Sequence, residues 1–438
     1  MTFRESTEYL LKAAKKNGLE IDILATQSKD LSLDSYEEKL TKTTIATQGG
    51  IGVRVITEGK TGFAYSEERT TEALDWVLKE AKENALLQTV NDAFLPKGKD
   101  LGDADLLADG LDAPIAEKVE KVIGLEHYLR QEAKVKNVQI ARLMEKENST
   151  TIASTKGLRG SYRNGYVGIL SSMVVQDGNS LKQSFDIDVS RSFYELDAKK
   201  TANKLLKNSL RQLNAKELKS GKYKAYFEPK AFSQFLGLLA FMLNGKTLVE
   251  GQSLLAKKLN QTIASDIVTL VDDPYLEGGL AARPFDSEGT MTKKLELIKN
   301  GVLKSFLHNS ATAKEAGHSN TGHAARTYKT SLGVSASNLY LKPGSGVSFD
   351  RGIIVTDLMG VHAGVNQISG DFSLQAFGIL VEDGKEQHAV ENFAIAGNFI
   401  DLLKNISAIG DEIEWTVMAG IIGTPMVEVA ELSFAGSS

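Results

Sequence analysis

The chain has 438 residues, of which 42% are hydrophobic and 24% charged, and its formal net charge is −5. This length is too great for one ordinary hydrophobic core, so we expect two domains with the composition of a soluble globular protein. Lysine and arginine are scattered rather than grouped with aromatic residues, which disfavours direct binding to nucleic acid. The absence of cysteine excludes disulfides, thiolate metal ligands and a cysteine nucleophile.

The first 18 residues have the pattern of an amphipathic helix that ends at Asn17 and Gly18. They lack the continuous apolar segment of a signal peptide. No apolar run approaches the roughly 18 to 20 residues that a membrane-spanning helix needs. We therefore expect a cytoplasmic protein that does not associate with membranes.

Alternating apolar and polar residues predict strands at 21–26 and 31–36 and a weaker strand near 43–47. Gly50 and Gly52 then suggest a dinucleotide-binding loop, but such a loop lies between a strand and a helix. Here the pattern instead predicts another strand at 53–57, a turn at 58–60 and a strand at 62–65. The sequence favours a β-hairpin over a nucleotide site, and a helix is predicted over 70–87.

Residues 95–115 are rich in glycine, aspartate and proline, which predicts a long connector, either mobile or a functional flap. Its acidic residues lack the spacing of an EF-hand calcium loop. Beyond it, the pattern predicts a helix at 116–134, strands near 138–145, 165–176 and 184–189, and a helix within 195–215. We place the domain boundary at the turn over 219–223, which gives an N-terminal domain of residues 1–219 and a C-terminal domain of residues 220–438.

The second half of the chain predicts many short strands separated by glycine turns, at 224–227, 267–271, 293–298, 302–306, 331–341, 353–358 and 377–382. Helices are predicted at 231–245, 254–259 and 311–316. The predicted fold class is α+β: an N-terminal α/β domain followed by a large, mostly antiparallel, barrel-like β-rich domain with a few helices.

Candidate metal ligands lie in the second half, which contains five of the six histidines. His318 and His323 are close in a stretch rich in glycine and asparagine, and a loop could bring both to one metal. No third ligand has a defined spacing, so loop histidines that cap turns or line a groove are the favoured interpretation.

Two polar patches could carry other chemistry. Asp286 and Glu288 are either a carboxylate pair for acid–base catalysis or, as we favour, Asx-type turns beside Gly289. The second patch covers 356–385, where glycines separate polar residues and would let a peptide backbone approach closely. Its candidate residues are Asp357, His362, Asn366, Asp371 and Ser373. A triad of Ser373, His362 and Asp357 is disfavoured because no Gly-x-Ser-x-Gly turn surrounds the serine.

Several of these stretches, taken in order, resemble the TldD/PmbA family, and within it the PmbA branch, also called TldE. They are GGIGVRV and GKTGFAYSEE, VDDP and GGLAARPFDSEGT, NGVLKSFLHNSATAKEAG and TGHAAR, and DLMG, NQISGDFSLQAFGILVEDG and VENFAIAGNF. The resemblance spans nearly the whole chain. It implies an N-terminal α/β domain, a β-rich C-terminal domain, and a cytoplasmic metallopeptidase that acts on unfolded peptides; some members bear the older name "modulator of DNA gyrase".

The resemblance also implies where zinc is held in TldD-type chains: by a His-Glu-x-x-x-His motif on the first helix of the second domain, with a C-terminal cysteine nearby. The corresponding helix here, residues 231–245, has neither histidine nor glutamate, and the chain has no cysteine. We therefore assign no catalytic residue, no metal ligand and no cofactor to this chain.

The resulting expectation is a non-catalytic subunit that pairs with a zinc-bearing TldD-like chain and helps to bind an extended peptide; in isolation a homodimer is conceivable. The candidates for a peptide cleft or an interface are Asp286, Glu288, His318, His323, Asp357, His362, Asn366, Asp371 and Ser373. One alternative is a regulatory or binding protein of the gyrase-modulator type without peptidase activity. Another is an enzyme with a different metal site that uses His318, His323 and nearby acids.

Overall fold

The computed structural model describes residues 1–89, 95, 98–361, 363–417 and 420–437. In the first half, the helices are α1 (Phe3–Lys16), α2 (Thr71–Leu86), α3 (Ile115–Arg130) and α4 (Ala198–Leu210). The strands are β1 (Glu20–Tyr36), β2 (Lys39–Thr57), β3 (Lys60–Ser66), β4 (Asp100–Leu106), β5 (Val135–Ser154), β6 (Arg159–Asp177) and β7 (Ser180–Ser190).

These strands form one sheet in the order β3-β2-β1-β5-β6-β4, with β7 also paired to β6. Successive residues of a strand point to opposite faces. Ile23 and Leu33 of β1 therefore share a face; Ile23 belongs to the core that includes α1 and α2, and Leu33 to the core that includes α3 and α4. Asp22 and Leu24 point to the other face, where Leu24 packs near Phe285 of the second half. The sheet thus carries helices on one side and the rest of the molecule on the other.

In the second half, the helices are α5 (Pro229–Met242), α6 (Gly245–Val249), α7 (Ser310–Ala316) and α8 (Phe399–Lys404). The longer strands are β9 (Gly221–Phe227), β11 (Leu295–Lys299), β16 (Gly352–Met359), β17 (Asp371–Glu382), β18 (Lys385–Asn398), β19 (Ile406–Ile409) and β22 (Val427–Ala435). The shorter strands are β8 (Lys216–Glu217), β10 (Leu270–Asp272), β12 (Val302–Leu303), β13 (Ala324–Ala325), β14 (Gly333–Val334), β15 (Leu339–Leu341), β20 (Glu414–Thr416) and β21 (Ile422–Thr424).

Strands β22, β9, β16, β17 and β18 pair in that order, and β18 pairs back with β22, so five strands close into a barrel. A second sheet has the order β12-β11-β10-β15-β21-β20. Most pairs are antiparallel; β9–β16, β8–β18 and β15–β21 are parallel. The predicted class, an α/β region followed by a barrel-like, mostly antiparallel β-rich region, is confirmed. Among the described residues, no helix is long and apolar enough to cross a membrane.

Several predicted elements differ from the structure. The strands predicted at 21–26 and 31–36 are one strand, β1, and those at 43–47 and 53–57 are one strand, β2, because β1 and β2 pair continuously through their polar middle. The connector predicted at 95–115 contains β4, which pairs with β6, while residues 96–97 lie outside the described residues. The helix predicted at 254–259 is wrong, since these residues form turns. No element was predicted after residue 382, where β18 to β22 complete both sheets. The division at residue 219 stays a prediction.

Candidate functional site

Helix α5 is the place where the family resemblance locates a zinc motif, and its sequence explains its position. Glu228 is an extended N-cap residue and Pro229 occupies the first turn, where a missing N–H costs nothing. Phe235 is fully buried, and its ring centroid lies 5.4 Å from that of Phe372 and 6.0 Å from that of Phe399. The helix is therefore a core element of the barrel.

The less buried side of α5 is polar and contacts one of the predicted site residues. Lys230 Nζ lies 2.7 Å from Asp357 Oδ2, and Gln234 Nε2 donates to Asp357 Oδ1 at 3.2 Å. Both carboxylate oxygens of Asp357 are thus engaged in holding α5 against β16. His362 lies outside the described residues, so the triad that would join it to Asp357 and Ser373 stays a disfavoured prediction.

Asp286 and Glu288 are both about 2% exposed, and each carboxylate accepts backbone hydrogen bonds. Asp286 Oδ1 accepts from the N–H groups of Glu288 and Thr290, both at 2.9 Å, and Oδ2 accepts from Ala324 at 3.0 Å. This is the geometry of an Asx-type turn. Burial raises the pKa of both carboxyl groups; backbone donors oppose this effect, and for Glu288 the neighbouring charge of Asp286 adds to it.

Glu288 connects this turn to α7. Its Oε2 accepts from the backbone N–H of Ser310, the first residue of that helix, at 2.9 Å. A carboxylate is favoured there because the first N–H groups of a helix have no partner within the helix. Asp286 and Glu288 are therefore buried and connect their own turn to β13 and to α7.

The two candidate histidines have separate partners. His323 Nε2 lies 2.9 Å from Asp272 Oδ2, which also accepts from the hydroxyl of Ser337 at 2.6 Å. His318 Nδ1 lies 2.9 Å from His308 Nε2. Among the described residues, no three histidine, aspartate or glutamate side chains are grouped so that they could hold a metal ion. The alternative in which His318 and His323 share a metal is therefore not supported by their geometry.

The second polar patch, residues 356–385, includes a surface loop before β17. Asn366 Oδ1 accepts from the N–H of Ser369 at 3.1 Å, and Ser369 Oγ donates to Asp371 Oδ2 at 2.8 Å. Asn398 Nδ2 donates to Asp371 Oδ1 at 3.0 Å, and these bonds lower the pKa of Asp371. Ser373 is exposed on β17 and donates its backbone N–H to Gly364. The hydrogen bonds of this loop thus stabilise its own turn and its contact with the end of β18.

A buried charge cluster joins the two halves of the chain, and no sequence pattern predicted it. Arg54 Nε lies 2.9 Å from Asp22 Oδ2, and Arg326 Nη2 lies 2.7 Å from Asp22 Oδ1. Burial opposes ionisation of Asp22, but the two guanidinium groups outweigh it and lower the pKa of the carboxyl. The only sequence signal was the placement of Asp22 and Arg54 inside otherwise apolar strand patterns.

The Gly50 and Gly52 element is part of the same junction. A Cβ atom at Gly50 would lie 2.5 Å from the ring of Tyr328, and one at Gly52 would lie 2.6 Å from the Tyr328 carbonyl oxygen. Tyr328 Oη also donates to Glu67 Oε1 at 2.7 Å. Both glycines lie within β2 rather than before a helix, so the structure rejects the dinucleotide-loop alternative and assigns them to contact between the two halves.

Comparison with known proteins defines the class to which this fold belongs. Three family models match the chain: PmbA/TldA metallopeptidase domain 1 over residues 21–85, the central domain over 108–213, and the C-terminal domain over 220–436. Together they cover most of the sequence. The chain therefore belongs to the PmbA/TldD metallopeptidase family.

Comparison with individual relatives supports the same family assignment. The chain is 26% identical to a metalloprotease PmbA homologue of Haemophilus influenzae, over 94% of this chain and 92% of that one. It is 24% identical to metalloprotease PmbA of Escherichia coli O157:H7, over 97% and 95%. A crystal structure from Thermotoga maritima, described as a candidate modulator of a DNA gyrase, superposes with a TM-score of 0.89, 27% identity and coverage of 99% and 100%. TldE from Thermococcus kodakarensis, at 23% identity, shares the fold with a TM-score of 0.87 over 98% and 100%.

Proposed function

We propose that this chain is a non-catalytic, PmbA/TldE-like subunit of a cytoplasmic metallopeptidase complex that degrades unfolded peptides. The observation that carries the proposal is the composition of α5. The helix that would bear the zinc motif in a TldD-like chain has Phe232, Phe235 and Leu236 buried in the barrel core. Its more exposed positions hold Lys230 and Gln234, which contact Asp357.

The zinc and the activated water would come from a TldD-like partner, because a catalytic zinc site needs about three protein ligands. The present chain would help to form the cleft. An extended peptide can bind by adding a strand to an open sheet edge, where main-chain hydrogen bonds give affinity with little sequence preference.

The N-terminal sheet supports this peptide-binding role. β3 pairs with β2 only over Ile51–Thr57, whereas β2 pairs with β1 from residue 39 onwards. Within the described residues, the outer edge of β2 over 39–50 therefore carries no neighbouring strand. Ile45 and Leu40 on this segment are exposed, which suits contact with another chain.

The test is to purify the chain alone and after co-expression with a TldD-like chain, and then to measure zinc content and cleavage of an unfolded peptide. We expect zinc and chelator-sensitive cleavage only in the co-purified complex. If the lone chain holds zinc near one equivalent and cleaves peptides, the proposal fails. His318→Ala and His323→Ala would then be the first variants to examine.

A second candidate is the gyrase-modulator role, since the Thermotoga maritima relative carries that description. The net charge of −5 makes direct contact with DNA unfavourable, so such a role would act through a protein partner. An interaction with gyrase that persists after deletion of every TldD-like chain would favour this function over the subunit role.

A further inference from the structure

A small open cavity of about 290 Å³ lies beside β11 and β12, next to the loop that follows α7. None of its lining residues belongs to α5 or to the loop before β17. Its wall combines basic, hydroxyl and apolar side chains, of which the important ones are Lys293, Lys304, His318, Ser319, Leu259 and Leu295.

The charge of this wall has one sign. Among the described residues that line the cavity there are two lysines and two histidines but no aspartate or glutamate. The adjacent Lys294 is paired with Asp273 at 3.2 Å. Within the part of the chain that the structure describes, Lys293 and Lys304 make no such ion pair, and both are exposed at the cavity rim. Two uncompensated ammonium groups at one cavity attract an anion.

The histidine pair adds a directed donor. His308 is 1% exposed, and burial, together with the neighbouring His318 and His323, lowers its pKa to about 4. His308 is therefore neutral at neutral pH and shares one hydrogen bond with His318 Nδ1, at 2.9 Å. When His308 donates that bond, the proton of a neutral His318 must sit on Nε2. Nε2 of His318 has no hydrogen-bond partner among the described residues, so it is available to a ligand.

The remaining features favour a carboxylate over a phosphate. The cavity wall contains no arginine among the described residues, and the nearby N-terminus of α7 is already occupied: Asn309 Oδ1 accepts from Thr312 at 2.8 Å and Glu288 accepts from Ser310. Arginine forks and free helix N-termini are common phosphate ligands. In addition, Leu259 and Leu295, both half-buried, provide an apolar side against which a hydrocarbon group can pack.

We propose that this cavity is a binding site for a small organic carboxylate. The carboxylate lies between the ammonium groups of Lys293 and Lys304 and Nε2 of His318, and the apolar part of the ligand lies against Leu259 and Leu295. The site stands independently of the proposed subunit role, because it requires neither zinc nor a partner chain.

The experiment is a titration of the whole chain with isovalerate and with N-acetylleucine, followed by NMR of the histidine Cε1–H signals. His318→Gln identifies the His318 signal, and His127, on α3, serves as the internal reference. We expect saturable shifts of the His318 signal. The double variant Lys293→Gln/Lys304→Gln should weaken binding about tenfold, since it removes two nearby positive charges in partly exposed positions.

The matched control is Lys257→Gln/Lys314→Gln, which makes the same charge change at exposed lysines outside the cavity wall; it should leave binding unchanged. N-acetylleucine amide should not bind. Binding of a tripeptide that ends in leucine would assign the site to peptide C-termini, and its exclusion with retention of isovalerate would assign it to free acids. The proposal is overturned if neither acid gives saturable shifts, if the amide or inorganic phosphate binds as tightly as the acids, or if both double variants weaken binding equally.

Discussion

Asp22 balances two buried guanidinium groups, those of Arg54 on the neighbouring strand and Arg326 from the second half of the chain. Each of these three side chains is at most one-tenth exposed. A buried charge that loses its partner is strongly destabilising, even where the intact pair contributes little. Loss of the Asp22 carboxylate would thus remove an ion-pair partner from two buried guanidinium groups at once.

We predict that Asp22→Asn lowers the free energy of unfolding at neutral pH by about 3 kcal/mol, because each of the two buried guanidinium groups loses its ion pair with Asp22. Asp266→Asn, at an exposed position, is the matched control and should change stability by less than about 0.5 kcal/mol. Urea unfolding followed by circular dichroism measures both values. Equal stabilities of the two variants would contradict this role for Asp22.

The pKa of Glu288 is shifted in the opposite direction to the pKa of Asp22. Its pKa is raised in the folded chain, chiefly by burial, so the native state binds a proton more readily than the unfolded state. The associated stability is complete below the ordinary glutamate pKa of about 4.3 and is lost as the pH rises through the folded pKa. Glu288→Gln imitates the protonated form and keeps an acceptor for the Ser310 N–H group.

We therefore predict that Glu288→Gln gains stability relative to the wild type as the pH rises from about 4 towards neutrality, because the wild type must then ionise a buried carboxyl group. Glu277→Gln, at an exposed position, should show no such trend. The measurement is the free energy of unfolding of the three proteins across this pH range. A variant that loses stability relative to the wild type as pH rises would refute the raised pKa.

Strand β2 is an element whose composition follows from a neighbour distant in sequence. Its glycines allow the segment around Tyr328 to lie directly on the sheet, since any Cβ at Gly50 or Gly52 would enter the space of that residue. Glycine within a strand otherwise weakens it. In β2 the glycines are required because the segment around Tyr328 contacts the strand closely, and this contact joins the two halves of the chain.

We predict that Gly50→Ala destabilises the protein by about 1–3 kcal/mol, the usual cost of overpacking a tight contact. Gly124 in α3 is the control, because a Cβ there would lie 3.9 Å from its nearest neighbour, in the Tyr128 ring. Gly124→Ala should stabilise the protein by about 0.5–1 kcal/mol, since alanine is the better helix former. The two changes have the same chemistry and opposite expected signs, so thermal unfolding that shows the same sign for both would contradict the packing argument.

Helix α5 shows how far sequence reasoning reaches at the scale of an element. Its start at Pro229 and its end near Leu243 follow from the local pattern. Its burial follows from its nearly continuous apolar composition. By contrast, the turns at 254–259 have an apolar composition that suits a helix, but Asn260 takes a positive φ of 62° and the bonds are of the i to i+3 type.

At the scale of the whole molecule, ion pairs and an aromatic contact connect the first half of the chain to the second. Besides Arg326 and Tyr328, the salt bridges Lys182–Glu391 and Lys204–Glu414 cross this junction. If one half unfolded alone, the other half would lose these ion pairs and packing contacts and would become less stable. The two halves should therefore unfold together.

The chain has two tryptophans, Trp76 in α2 and Trp415 in β20, so each half has its own fluorescent reporter. We predict that Trp415→Phe and Trp76→Phe, which leave one reporter each, give coincident urea midpoints. Adding Arg326→Met to each should separate the midpoints, because the junction loses a buried ion pair while much of its packing remains. Separate midpoints without the arginine change, or coincident midpoints with it, would refute coupling through this residue.

Much of this protein follows from its sequence alone. Period-two and helical patterns, capping residues and glycine turns are local signals, and they predicted the α+β class, the hairpin after Thr57 and the core helix α5. The ordered resemblance of many short motifs likewise identified the family. The absence of histidine and glutamate from 231–245 is also a property of the sequence.

Only the tertiary structure decided which side chains meet. Asp22 and Arg326 are 304 residues apart, and no local pattern predicts their contact. Asp286 looked like either a catalytic acid or a turn, and only the three backbone N–H groups around it distinguish the two. His318 and His323 are neighbours in sequence yet bind different partners. The physical reason is that local backbone preference depends on nearby residues, whereas burial, charge pairing and the closing of a barrel depend on segments that only the folded chain brings together.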